Sequence, residues 1–258
     1  MVISQENIIR PVATLSVTWE RLPDDYKLEE EPVENTGQPL IAGALREPLE
    51  LIGYIKPEML MASNLGICAT VNGELVIKAP DWFYVPRVQP LTQRCERKSY
   101  TPNLEGDTPS IVMEFLSDTE GGEYSVKRSY PPGKWFFYEQ VLKVPTYVIF
   151  EPDTGLLEVY RLQEQRYDLE LPDPEGRHWF PEIGLFLGVW RGEKEGRTGY
   201  WLRWWDEEEN LLLWGVERLE QERQQVEQER QRAEQERQRA EKLAAYLRSQ
   251  GINPDEIE

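Results

Sequence analysis

Three ionisable residues sit where ionisable residues are expensive. Asp81 follows Pro80 and precedes Trp82-Phe83-Tyr84-Val85, Glu114 lies inside Ile111-Val112-Met113-Glu114-Phe115-Leu116, and Lys134 opens the run Lys134-Trp135-Phe136-Phe137-Tyr138. A carboxylate among apolar strand residues must find a cation, a metal or water, because burying it alone costs several kcal/mol. Each residue has an ordinary explanation: a turn aspartate, a glutamate on the wet face of an alternating strand, a lysine whose stem covers apolar surface. Taken together they suggest one device. Two carboxylates from neighbouring strands can hold Mg²⁺, a hard cation that prefers oxygen. Such an ion lowers the pKa of bound water and stabilises charge on a phosphoryl oxygen. A desolvated lysine then orients the nucleophile or stabilises the transition state.

The rest of the composition fits a device of this kind. The chain has one histidine, His178, in the segment DPEGRHW, which reads as a loop, so a site needing two histidines from this chain is excluded and Ser-His-Asp catalysis is a poor fit. Two cysteines, Cys68 and Cys95, cannot build a four-cysteine zinc site and read as reduced thiols of a cytoplasmic protein. No apolar run is long enough to predict a transmembrane helix, and the N-terminus lacks the pattern of a signal peptide. The net charge is −18, with −11 over residues 1–205 and −7 over 206–258. That average opposes non-specific grip on nucleic acid, though it allows a local basic groove or carboxylates neutralised by metal.

The elements that must position these residues follow from periodicity. Residues 1–37 form an irregular N-terminal arm, acidic and proline-broken over 20–37. Leu40, Ile41, Ala44, Leu45, Leu49 and Ile52 have helical spacing over 38–53, with Gly53 as a stop and Pro48 as a kink or second start. Asn72-Gly73 between Ile67–Val71 and Glu74–Lys78 predicts a hairpin. Strands are expected at 110–116 and 146–152, a helix at 134–143, and a strand pair in GLLEVYRL and RYDLEL. The Trp-rich end, GLFLGVWRG, YWLRWWD and LLLWG, is read as further strands with a hairpin turn at 207–210, rather than as a base-stacking surface. The fold class is therefore α/β (α+β), with a central sheet of four or five strands. The hairpin and strand 110–116 can bring Asp81 and Glu114 onto neighbouring strands, and the helix can return Lys134 to the same edge.

Residues 216–250 differ in kind: the run to 249 has no Pro or Gly and repeats QERQRAE. Glu and Arg at helical spacing predict ion pairs along a charged helix. One heptad position is apolar (Leu219, Val226, Ala233, Ala240, Leu247), but its seam partner is not, which leaves a solvated single helix and a weak coiled coil equally open. Residues 251–258 are a tail, and 38–215 form the body.

The segments PDWFYVP (80–86), PSIVMEFLS (109–117), PGKWFFYEQ (132–140) and VPTYVIFEPDTGLLEVYRL (144–162) resemble a large bacterial putative restriction endonuclease family, a branch of the PD-(D/E)XK nuclease superfamily. The resemblance runs over roughly residues 15–205. It implies a central mixed sheet flanked by helices and a metal-dependent endonuclease that hydrolyses DNA phosphodiester bonds, with Mg²⁺ or Mn²⁺ as cofactor. It places the PD motif on Pro80-Asp81 and the second acid on Glu114, both as metal ligands. The superfamily's lysine usually stands two residues after that acid, where this chain has Leu116. The resemblance moves it to the following helix, in a K-x-x-x-Y arrangement matched by Lys134 and Tyr138. Lys127 is the other candidate lysine, and Gln140 resembles an accessory polar residue.

Two functions from different classes follow. One is this endonuclease, with DNA contacts from Arg87, Arg94, Arg97 and Lys98 and from Lys127-Arg128. The other is a non-catalytic interaction protein that keeps the nuclease fold and uses its charged helix for self-association or partner binding. A homodimer through 216–249 is compatible with the first. No membrane partner is expected.

Overall fold

The computed structural model describes residues 15–20, 36–91, 96–116 and 133–250. In chain order, β1 (Val17–Thr18), α1 (Gly37–Leu51), β2 (Leu60–Ala62), β3 (Ile67–Val71), β4 (Glu74–Lys78), β5 (Trp82–Val85) and β6 (Ile111–Phe115) lead to α2 (Lys134–Phe136). A π-helical turn, Phe137–Leu142, continues α2. Then come β7 (Thr146–Glu151), β8 (Leu156–Gln163), β9 (Arg166–Glu170), β10 (Arg177–Phe180), β11 (Leu185–Lys194), β12 (Arg197–Trp205) and α3 (Gly215–Ser249).

The principal sheet has six strands in the order β2-β5-β6-β7-β8-β9, more than the four or five expected. β6 and β7 run parallel and the other pairs antiparallel, so the sheet is mixed and the fold α/β. The parallel pair requires a crossover, which contains α2.

The hairpin forms as Asn72-Gly73 dictates. Both residues have positive φ, 52° and 85°, the conformation a two-residue turn between twisted strands demands. Its placement corrects the expectation that it would carry Asp81. β3 and β4 pair with β1 in a separate three-stranded sheet, and the chain leaves the hairpin at Ala79-Pro80 before β5 begins. α1 runs through Pro48 without a second start, and Gly53, at φ 68°, follows its end. The predicted helix over 134–143 is one short α-turn followed by the π-turn. LLLWG is not a strand: after the turn at Asp206–Asn210 only the bridge between Trp205 and Leu211 remains.

Alternation sorts the principal sheet into two faces. Phe83, Val85, Val112, Tyr147 and Ile149 point to the side covered by Trp135, Phe137, Tyr138, Val141 and the hairpin residues Ile67, Ala69 and Val76. On the other side Trp82 meets Trp204 of β12 with ring centroids 6.5 Å apart. Trp204 Nε1 donates to the Leu45 carbonyl of α1 at 3.0 Å. The ladder β10-β11-β12 and α1 therefore cover that face.

A partly buried polar network closes the far end of the strands. Arg161 of β8 donates through Nε to Glu170 at 2.6 Å and through Nη1 to Thr146 Oγ1 at 2.6 Å, and its guanidinium lies 4.8 Å from the Phe180 ring. His178 Nδ1 stands 3.1 Å from Glu170 Oε1. Burial lowers the His178 pKa below its usual value, although Glu170 pulls the other way. Burial works against ionised Glu170, but Arg161 and His178 hold its pKa below the ordinary carboxylate value. Both shifts have the same sign for stability. The unfolded chain takes up protons at these two groups first, so the stability they contribute is full above about pH 6.5 and falls as pH drops through the histidine and carboxylate ranges. The expected result is a wild-type melting temperature that falls relative to that of His178→Gln from pH 7 to pH 4, measured as the difference between the two proteins by thermal unfolding across that range.

From Leu213 onward the chain is a separate compact unit. Trp214 donates its N–H to Glu217 Oε2 at 2.9 Å, a cap that starts α3. The helix has no buried residue. Arg218–Glu222 and Arg237 with Glu234 and Glu241 make ion pairs of the predicted kind. Gln224, Gln231 and Gln238 donate to Glu220, Glu227 and Glu234 one turn earlier, because the repeat sets Gln four residues after Glu.

Candidate active site

β5 and β6 pair with Trp82 opposite Met113, Phe83 opposite Val112 and Tyr84 opposite Ile111. Continuing this register by one residue sets Asp81 across from Glu114, and residues directly opposite share a face. That face is the one α2 covers. Every residue of β6 is buried, so Glu114 has no wet side to turn to, and it is 0% exposed. Asp81, also buried, accepts the Phe115 N–H on Oδ2 at 2.6 Å.

Both Glu114 oxygens are engaged. Lys134 Nζ donates to Oε2 at 3.0 Å and the Tyr138 hydroxyl to Oε1 at 2.8 Å. Lys134 begins α2 and Tyr138 follows it by four residues, the helical spacing that stacks two side chains on one face. Burial raises the Glu114 pKa to about 8, with Lys134 opposing, the Asp81 charge adding to the rise, and the Tyr138 hydrogen bond opposing it.

The aromatic run that looks merely apolar in sequence locks this arrangement. Trp135 packs edge-on against Tyr147, Tyr160 and Tyr167, at 5.6, 4.8 and 5.5 Å. Glu139 fastens the turn by accepting from Trp135 Nε1 at 3.3 Å and from the Tyr167 N–H at 2.8 Å. With Trp135 pinned to β7, β8 and β9, Lys134 and Tyr138 meet Glu114. Trp135→Ala is expected to destabilise the protein by about 3–5 kcal/mol, read as a lower urea midpoint.

The structure brings Asp81, Glu114, Lys134 and Tyr138 together. Gln140 is directed elsewhere, donating to Glu139 at 2.9 Å and to the Gln165 carbonyl of the β8–β9 turn at 2.7 Å. Lys127, Arg128, Arg94 and Cys95 lie outside the described residues. Arg97 pairs with Glu105 at 2.7 Å and Arg87 with Asp107 at 3.3 Å, so part of the basic run ties its own loop together. A residue not anticipated from sequence is Gln38 of α1, whose Nε2 donates to the Phe115 carbonyl at 2.9 Å. Its one signal was position: Gln38 precedes Ile41, Ala42, Leu45 and Leu49 on the buried face of the helix.

The donor set suits a hard cation, since it offers carboxylate oxygens and no thiol or imidazole. Among the described residues no group of three or more His, Cys, Asp and Glu side chains converges. A cation here would keep water in its remaining positions, as Mg²⁺ does. A cavity of about 630 Å³ lined by Arg161, Glu170, Arg177, His178 and Trp179 lies away from this centre, at the strand end where Thr146 pairs with Ile111. Among the described residues no helix is long and apolar enough to cross a membrane.

Residues 49–191, more than half of the chain, match the family model Uma2, described as putative restriction endonuclease. A solved structure described as a putative nuclease belonging to DUF820 from Anabaena variabilis is similar, with a TM-score of 0.41 and 13% identity, over 61% of this chain and 79% of that one. No curated protein matches.

Proposed function

The chain belongs to the Uma2 family of putative restriction endonucleases, and from that premise we propose that it is a Mg²⁺- or Mn²⁺-dependent endonuclease hydrolysing DNA phosphodiester bonds at Asp81, Glu114 and Lys134. Its mixed sheet with few helices is the restriction-endonuclease-like fold. The observation that carries the reading is Glu114: a fully buried carboxylate with a lysine on one oxygen, a tyrosine on the other and a second carboxylate beside it. Stability is a weak reason for such a group, because well-packed apolar residues of the same volume are often as stable or more so. Strongly perturbed carboxylates with a specific partner mark functional sites.

In this reading Asp81 and Glu114 hold the cation. When bound, the ion acidifies its water and withdraws charge from the phosphoryl oxygen. Lys134 keeps a positive charge beside the carboxylates, where it stabilises charge developing on the phosphate. Tyr138 orients the Glu114 carboxylate through Oε1. Lys134 is preferred over Lys127 because it already reaches the acid. DNA is the substrate and principal partner. The net charge of −18 is unfavourable for its approach, and the bound cation offsets part of it.

A second reading is favoured by α3, which leaves Leu219, Val226, Leu243 and Tyr246 exposed. Here the chain is a non-catalytic interaction protein that self-associates or binds partners through residues 216–249. Sedimentation at tens of micromolar tests the association. Nicking of supercoiled plasmid with and without Mg²⁺ or Mn²⁺ separates the two readings. The endonuclease requires metal-dependent nicking by the wild type. Absence of nicking, with no metal-induced rise in melting temperature, leaves the interaction protein.

A further inference from the structure

In an extended strand the N–H and C=O of one residue point to the same edge. At Phe115 that edge faces the place where β5 has not yet begun, since β5 starts at Trp82, opposite Met113. The opposite edge of the chain is already committed, with the Leu116 N–H donated to the Phe150 carbonyl of β7 at 2.8 Å. Two side chains stand in for the missing ladder: Asp81 accepts the Phe115 N–H at 2.6 Å and Gln38 donates to the Phe115 carbonyl at 2.9 Å. The residue held from both these sides directly follows Glu114.

Gln38 is 6% exposed, an amide on a helix face otherwise made of Ile41, Ala42, Ala44, Leu45 and Leu49. A buried amide is costly unless it is hydrogen-bonded, and an apolar side chain would serve helix packing better.

We infer that Gln38 is a positioning residue for the carboxylate pair: by holding the Phe115 carbonyl it fixes the strand end that sets Asp81 against Glu114, and with it the capacity of the two acids to capture a divalent cation. The inference rests on the nuclease reading of this centre. It makes α1 part of the site without touching substrate or metal. Removing the donor frees the Phe115 main chain to rotate, and the Asp81 carboxylate attached to its N–H moves with it. Support of this kind, one shell out from the ligands, changes metal affinity by about 10- to 100-fold.

The test is Mn²⁺ binding by titration calorimetry to wild type, Gln38→Met and Gln38→Asn, with melting temperatures in EDTA and plasmid nicking across a Mn²⁺ series. Gln38→Met keeps the length and packing but cannot donate. Gln38→Asn keeps the amide but is one methylene short, and it preserves the test should the methionine variant fold poorly. The expected result is Mn²⁺ affinity lowered about 10- to 100-fold, with nicking lost at low Mn²⁺ and largely recovered at saturation. A merely structural glutamine would lower the melting temperature in EDTA and leave Mn²⁺ affinity unchanged. Wild-type affinity in both variants overturns the role of Gln38 while the nuclease reading stands. A wild type that neither binds Mn²⁺ nor nicks plasmid overturns that reading and this inference together.

Discussion

Asp81→Asn is expected to remove metal-dependent plasmid nicking while leaving the protein folded. The asparagine carbonyl can still accept the Phe115 N–H that Asp81 Oδ2 accepts at 2.6 Å, so the strand end keeps its hydrogen bond. What is lost is the negative charge that, with Glu114, would draw in the cation. Loss of one preorganised electrostatic group costs roughly 10²–10³ in rate, and loss of a metal ligand at least as much. Lys134→Ala is expected to reach a similar level by another route, since it removes the donor to Glu114 Oε2 and the positive charge at the site. The two variants differ in stability. Asp81→Asn should melt close to wild type in EDTA, whereas Lys134→Ala leaves a buried carboxylate without its cation, a loss of about 3–5 kcal/mol where that carboxylate is ionised. Nicking retained in both variants would place the activity elsewhere.

The second large effect concerns Glu114 and pH. Its folded pKa is raised to about 8 by burial, against the pull of Lys134 and with the push of Asp81, while in the unfolded chain it titrates as an ordinary carboxylate. Between these two values the folded state holds a proton that the unfolded state has released. Stability from this group is therefore fully present below about pH 4.3 and is lost as pH rises through the folded value near 8. Glu114→Gln, which has no proton to lose, is expected to remove this dependence. The comparison is made as the difference between the two proteins in EDTA, which cancels the opposite trend from His178 and Glu170. Added Mg²⁺ or Mn²⁺ should stabilise wild type progressively more as pH rises towards 8, because the cation competes with that proton. It should have no such effect on Glu114→Gln. A flat difference between the two proteins from pH 5 to pH 9 would mean that Glu114 is an ordinary ionised partner of Lys134.

Much of this molecule is decided by local chemistry. Asn72-Gly73 forces its hairpin because those residues tolerate the positive φ of the turn. The repeat over 216–249 forces a helix because its Glu, Gln and Arg side chains satisfy one another a turn apart. Asp81, Glu114 and Lys134 stand out because charge inside an apolar run is costly wherever it falls.

Tertiary structure decided what those charges meet. Alternation along β6 left Glu114 equally free to face water or the core. Only the arrival of α2, anchored by Trp135 on Tyr147, Tyr160 and Tyr167, made its face dry and supplied Lys134 and Tyr138. The same holds for the hairpin, whose strands suit the principal sheet by pattern but pair with β1 instead. Gln38 is the clearest case. Its place on the buried face of α1 is its one mark along the chain, and its contact is 77 residues away, at a strand end where β5 stops two residues short. Side-chain periodicity is a property of ten or so consecutive residues, so it can say which face of an element is apolar. Which polar group will stand opposite a particular carbonyl depends on register between strands and on where each strand ends, and those are set by packing across the whole sheet.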